Sequence, residues 1–441
     1  MTQHPGICVI FALVAALSCA GSAAALQPVE VFLRAAKQRN HDVREVASVD
    51  VQRRAEVDVA RGRLYPAFAA GGSYTRNQYE IALSLPASVS GMAAADSMAV
   101  ERLVIQPYNQ LDANLSISVP LFDLGAIERL RAAQVAAEVS LASRRATALD
   151  VENQVFRAYY QLLGQEAVLT AAKGALELAR KNLALVQDKV SSGAASDLDV
   201  ARARAEIARA EGDVAGVELG VVSARRQLST VARVDPEPAT AFFEDDLHVE
   251  APLPVWLQRA AATPRVQLAA ANEAAAVHSQ AAAEGAFYPA LSATAQERFT
   301  NATGFSGHSA VFQLQATLCW RFDLAASANV RAQNAALVAS GVRRERAERA
   351  AQDGTFQAFH QVRAAIERAR AARVQVGAAR LAAELARDRY GVGAATQLDV
   401  IRAQEDAFRA DVTRIQADTE LAYARAALRA SAGQLHEGDE P

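Results

Sequence analysis

Cysteine is nearly absent from this sequence: of three, Cys8 and Cys19 fall in the first 19 residues, leaving Cys319 alone in the rest. No intrachain disulfide and no cysteine metal cluster is available to residues 26–441. Proline is missing from two long spans, between Pro120 and Pro236 and between Pro289 and Pro441. Aromatic residues make up only 6% of a chain that is 51% apolar, and alanine is the largest contributor to that share, so small side chains at close helix contacts are expected. The charge balance, −3 over 441 residues, has no basic excess to attract nucleic acid or an anionic membrane surface. Past the N-terminal segment, no stretch approaches the ~18 consecutive strongly apolar residues of a membrane helix. A membrane crossing, if present, must be made by strands.

The first 25 residues read as an export signal, with an apolar run from Ile7 to Leu17 and an Ala23-x-Ala25 cleavage pattern. The region before the run lacks Lys and Arg. Cleavage after Ala25 is expected in preference to lipidation of Cys19, because Ala16-Leu17-Ser18-Cys19 is a poor lipobox.

An internal repeat follows. Gly193-Ala194-Ala195-Ser196-Asp197-Leu198-Asp199-Val200 returns as Gly393-Ala394-Ala395-Thr396-Gln397-Leu398-Asp399-Val400, an offset of 200. Phe122-Asp123-Leu124 returns at the same offset as Phe322-Asp323-Leu324, whereas Tyr65-Pro66 matches Tyr288-Pro289 at 223. The first copy therefore carries 23 extra residues between Pro66 and Phe122, which belong to a surface loop.

The proline-free spans are rich in Ala, Leu, Arg, Glu and Gln, all good helix formers. They predict helices at about 127–190 and 197–232, and again at 327–390 and 397–432. Shorter helices are expected at 28–64 and 263–287. The longest would run roughly 96 Å and would need helical neighbours. Gly193 and Gly393 suit helix C-termini; Ser196 and Thr396 suit N-caps, with Asp199 and Asp399 in the first turn.

Around the prolines the period is two. Leu111, Ala113, Leu115, Ile117 and Val119 alternate with polar residues, as do Phe312, Leu314, Ala316, Leu318 and Trp320. Strands are expected at about 66–77, 110–121, 289–300 and 310–322, flanking polar loops 78–109 and 301–309. Four strands cannot close a membrane barrel, and open edges in lipid cost several kcal/mol per unpaired group. Several copies must share one barrel. The fold class is mainly α with a small membrane β part, in two tandem repeats (26–232 and 263–432) separated by a junction, 233–262, and followed by a tail, 433–441.

At this point the chain resembles the TolC-like outer-membrane efflux protein family. The resemblance rests on Leu26-Gln27-Pro28-Val29-Glu30, Asn40-His41-Asp42-Val43, the two Tyr-Pro pairs, and Tyr390-Gly391-Val392-Gly393 through Val400. It covers 27–432. It implies a homotrimer, with a twelve-stranded β-barrel in outer-membrane lipid continued by an α-helical barrel in the periplasm. It also implies two partners, a periplasmic adaptor and an inner-membrane transporter of RND, ABC or MFS type. The helix tips would form the periplasmic entrance, and the junction and tail a belt around the helices.

The same resemblance places gate contacts at Asp199 and Tyr390. Asp199 and Asp399 would form carboxylate rings, or else serve only as first-turn acids; Tyr390 would gate by a hydrogen bond or simply pack between helices. Arg202 and Arg402 stand where a second acid can occur, and Arg402 is placed to pair with Asp399 at i,i+3. Gly193, Gly393, Ala394 and Ala395 are candidates for adaptor docking; for the glycines a plain helix cap is the alternative.

Glu244, Asp245, Asp246, His248 and Glu250 are expected to form a solvated loop, with a calcium site as the lesser alternative. No metal, cofactor or catalytic motif is apparent, so an enzyme has no support. A periplasmic adaptor and a structural coiled coil are the competing readings. The exported substrate (drug, metal or protein) is not encoded in any motif.

Overall fold

The computed structural model describes residues 26–86, 100–237, 244–321 and 324–434. The export signal, Cys19, most of the C-terminal tail and the Phe322-Asp323 motif lie outside them. The elements run α1 (Val29–Arg39), α2 (His41–Gly62), β1 (Ala67–Arg76), β2 (Ile81–Pro86), β3 (Val100–Gln106), β4 (Asn109–Phe122), α3 (Leu124–Ser191), α4 (Asp197–Ala232), α5 (Leu253–Ala260), α6 (Pro264–Glu284), β5 (Ala290–Thr300), β6 (Ala310–Cys319), α7 (Leu324–Gly391) and α8 (Gln397–Ser431). Helices α3 and α7 have 68 residues each, and α4 and α8 have 36 and 35. The copies thus match helix for helix.

The chain divides into two compact units. One holds residues up to Ser48, Ala142–Gln267 and Arg346 onward; the other holds Val49–Leu141 and Leu268–Glu345. The second unit contains all six strands of the described residues. Its main sheet is antiparallel, in the order β1-β4-β5-β6, and β1 and β6 are its open edges. The register puts Ala70, Leu115, Glu297 and Phe312 in one row and Phe68, Ile117, Ala295 and Leu314 in the next. One face is therefore almost wholly apolar, and Asp112, Asn114, Ser116, Gln296, Arg298 and Gln313 lie on the other. Arg298 bonds Asp112 at 2.7 Å on that polar face. Gly125 and Gly285 meet closely in the same unit: a Cβ on Gly285 would lie 2.7 Å from the Gly125 Cα.

Three expectations change. The helix expected over 28–64 is two helices, broken at Asn40. Its Oδ1 accepts from Asp42 N–H at 2.8 Å, starting α2 afresh, and its Nδ2 donates to the Val231 carbonyl at 3.0 Å. The loop expected over 78–109 contains a hairpin, β2–β3, in which Leu83 pairs with Leu103 and Ser84 with Arg102; residues 87–99 of that loop lie outside the described set. The helix expected over 263–287 ends at Glu284 and tightens into a 3-10 turn, Gly285–Phe287, where the backbone meets Gly125.

The first unit is a set of packed helices. Phe32, Leu33, Val155, Leu162 and Leu228 form one core with Ala158, Ala224 and Ala232. Trp256, Val362, Ile366, Leu421 and Leu428 form another with several alanines. Alanine lets these long helices approach closely, and each buried Leu stabilises the contact by about 1.5–3 kcal/mol. Among the described residues no helix is long and apolar enough to cross a membrane.

Candidate functional site: the paired helix tips

Each copy ends in a tight turn between two long helices. Gly193 (φ 73°) and Gly393 (φ 79°) take the left-handed conformation that glycine adopts without strain. In copy one Gly193 N–H donates to Val190 at 2.9 Å and Ala194 N–H to Lys189 at 2.7 Å. Copy two repeats this, with Gly393 N–H to Tyr390 at 3.2 Å and Ala394 N–H to Arg389 at 2.8 Å. Gly193, Gly393 and Ala394 are exposed. Ala395 is half-buried and packs against the tip cluster, so of the four docking candidates it is the least free.

The following helix starts with a capping box. Ser196 donates to Asp199 Oδ2 from its N–H (3.2 Å) and hydroxyl (2.8 Å). Thr396 does the same to Asp399 Oδ2, at 2.9 and 2.7 Å, and accepts from Asp399 N–H at 3.2 Å. These bonds from Thr396, with the nearby Arg402 charge, hold the Asp399 carboxyl below the usual carboxylate range. Among the described residues the expected Asp399–Arg402 ion pair is not formed, although the Arg402 charge acts on the carboxyl. In copy one Arg202 does reach Asp199, at 3.6 Å.

Tyr390 is buried in a cluster with Val186, Ala203 and Val400. Its hydroxyl has no hydrogen-bond partner among the described residues. Burial, and then the nearby Asp199 charge, push the phenol's pKa up.

Sequence reading missed Lys189. Its Nζ lies 4.2 Å from the centre of the Tyr390 ring and donates to the carbonyls of Tyr390 and, at 3.2 Å, Gly391. One cation thus caps the C-terminal carbonyls of α7 and sits on its last aromatic ring. A basic residue in the last turn of both α3 and α7 was the available signal. The two tips are also unequal. Gln397 is 1% exposed with neither side-chain polar atom bonded, while its counterpart Asp197 is exposed.

The acidic junction is only in part the solvated loop expected: Glu244, Asp246 and His248 are exposed, but Asp245 is buried. Arg425 of α8 donates to Asp245 at 2.9 and 3.0 Å and to the His248 carbonyl at 2.8 Å, and it pairs with Glu250. Arg373 of α7 reaches the Asp245 carbonyl at 2.8 Å and Asp418 at 2.7 Å. Burial pushes the Asp418 carboxyl up, against the pull of Arg373 and Arg414. Residues 244–250 are thereby clamped to α7 and α8.

The family model described as outer membrane efflux protein matches residues 32–232 and 256–434, one range for each copy. The chain belongs to the outer membrane efflux protein family. Members of this family are outer-membrane channels, not enzymes. Solved structures agree in fold. CusC is 18% identical, with 92% of each chain covered and a TM-score of 0.78. VceC of Vibrio cholerae is 16% identical over 92% of this chain and 96% of its own, at 0.74. The MtrE channel of Neisseria gonorrhoeae, solved in an open state, is 20% identical over 93% and 90%, at 0.74. A search of curated proteins returns no match.

Proposed function

We propose that this chain is one protomer of a homotrimeric outer-membrane channel. It gives substrates passive exit from a periplasmic adaptor and an inner-membrane transporter of RND, ABC or MFS type. The four-stranded sheet carries this reading. Its apolar face, with Phe68, Leu115, Phe312 and Leu314 all exposed, suits lipid, and its edges β1 and β6 are unpaired. Three such sheets joined edge to edge make a twelve-stranded barrel with its polar face inward. Loops 78–109 and 301–309 would then face outside, and the tips would form the periplasmic entrance.

At that entrance Asp199 and Asp399 would recur threefold, with Arg202 and Arg402 tempering their charge and Tyr390 packing the tips shut. Gly193, Gly393, Ala394 and Ala395 would meet the adaptor. Cell fractionation with gel analysis of unheated samples tests the assignment. A heat-sensitive trimer in the outer membrane that conducts ions in planar bilayers is expected. A soluble periplasmic monomer would overturn it.

A further inference from the structure

The apolar face of the main sheet carries one exception. The register sets Glu297 of β5 in a row with Ala70, Leu115 and Phe312, between the rows of Ala295 and Phe299. Its neighbour Arg298 lies on the polar face, bound to Asp112 at 2.7 Å. The only other basic residue of the four strands is Arg76, which ends β1 and bonds Asn109 at 2.5 Å. Arg76 stands six residues beyond Ala70, about 20 Å along the strand, and does not reach Glu297. Among the described residues Glu297 forms no hydrogen bond or ion pair.

A hollow of about 470 Å³ begins at this carboxylate. Phe68, Leu115, Ala295, Phe312 and Leu314 line it from the same face. β5 runs from the helix side at Ala290 to its loop at Thr300, so the hollow descends from Glu297 toward the helices. Glu297 is its loopward limit on that strand and its only charge. The carboxylate's row lies about 10 Å short of the strand's loop end. A tilt of roughly 40° reduces this to about 8 Å of depth, and the side chain can snorkel toward the loop.

A charge facing lipid is costly unless it finds a partner. This sheet face supplies none, so the partner comes from outside it. One carboxylate offers too few oxygens to hold a metal ion, whereas its charge complements an ammonium. We infer that Glu297 and the hollow form a lipid site, in which the carboxylate accepts from a primary ammonium headgroup and the hollow seats an acyl chain. The occupant is a membrane lipid, because charge and apolar length follow the order they have in a lipid, with the headgroup toward the loops. The inference rests on the lipid-facing barrel proposed above and adds which lipid chemistry that face selects.

Native mass spectrometry of the detergent-purified trimer tests it. Phosphatidylethanolamine should be retained in preference to phosphatidylglycerol, at one molecule per subunit. Glu297→Gln keeps the side chain's shape and should lower that retention about tenfold, the worth of a charge-assisted hydrogen bond. Ala295→Phe, which fills the hollow, should lower it with the carboxylate intact. In lipid-free detergent Glu297→Gln should leave the temperature of trimer dissociation unchanged. Equal retention of the two lipids, retention that both variants leave unaltered, or retention that EDTA abolishes would overturn the site. So would a lower dissociation temperature of Glu297→Gln in lipid-free detergent, which would give the carboxylate to a neighbouring copy. Any of these in an intact outer-membrane trimer leaves the channel reading standing. A chain that stays a soluble monomer would overturn both.

Discussion

Arg425 and Asp245 are joined by two hydrogen bonds, 2.9 and 3.0 Å long, and both side chains are about 94% buried. Asp245 lies 180 residues before its partner. The pair closes the junction segment onto α8, where Glu250 and the His248 carbonyl complete the guanidinium's bonds. Arg425→Met would leave two carboxylates buried without their cation, a loss of about 3–5 kcal/mol. Thermal unfolding should show it directly. Adding Asp245→Leu and Glu250→Leu removes the stranded charges and should recover part of the loss; no recovery would mean that the clamp acts through something other than charge.

Lys189 offers a prediction at the entrance. Lys189→Met keeps the stem and removes the charge from the Tyr390 ring and the α7 carbonyls. The lost interaction is about 1–2 kcal/mol, a five- to thirty-fold shift toward open tips. Single-channel recording in planar bilayers should report a larger open fraction. An unchanged open fraction would place Lys189 outside the gate.

The charge of the rings can be probed at Arg402. Its guanidinium is not tied to Asp399, so it stands free to offset a ring of three carboxylates. Reversal potentials should show stronger cation preference in Arg402→Ala. A channel that is strongly cation-selective beforehand and loses that selectivity in the variant would contradict the assignment.

Acid should weaken the copy-two cap. The Asp399 carboxyl is depressed by its Thr396 bonds, so the stability it contributes is present above the ordinary carboxylate range. That contribution disappears as pH falls through the lower, folded-state value. Amide exchange in the first turn of α8, corrected for intrinsic rates, should accelerate on acidification in the wild type. Thr396→Val, which removes the hydroxyl, should flatten the response.

Gly393 separates docking from capping. Its surroundings are open, so Gly393→Ala meets no atom and costs only the left-handed strain, about 1–2 kcal/mol. Gly393→Trp should abolish efflux with the trimer intact if the tip receives an adaptor. Loss of the trimer itself would assign the glycine to the cap.

Much of this was legible in the sequence because it is local. Ser196 and Thr396 announce their helices three residues ahead of the acids they bond, and period-two alternation marks β4 and β6. What stayed hidden depends on partners far along the chain. Nothing near Asp245 points to Arg425, and Glu244, Asp246 and His248 around it look as a solvated loop should. The break at Asn40 needs an amide that serves α2 and Val231 together, which helix propensity cannot show. The β2–β3 hairpin was hidden by its length: β2 has six residues, too few for alternation to stand out against a polar loop.

The equal lengths of α3 and α7 also constrain how such a chain can change. Seven residues added to α3 alone would carry one tip about 10 Å beyond the other, pulling Lys189 off Tyr390. Reach can grow only by matched insertions in both copies, and in steps of a heptad if every side chain is to keep its face. A duplicated gene of this kind inherits a ruler, and lengthening it means rewriting both halves together.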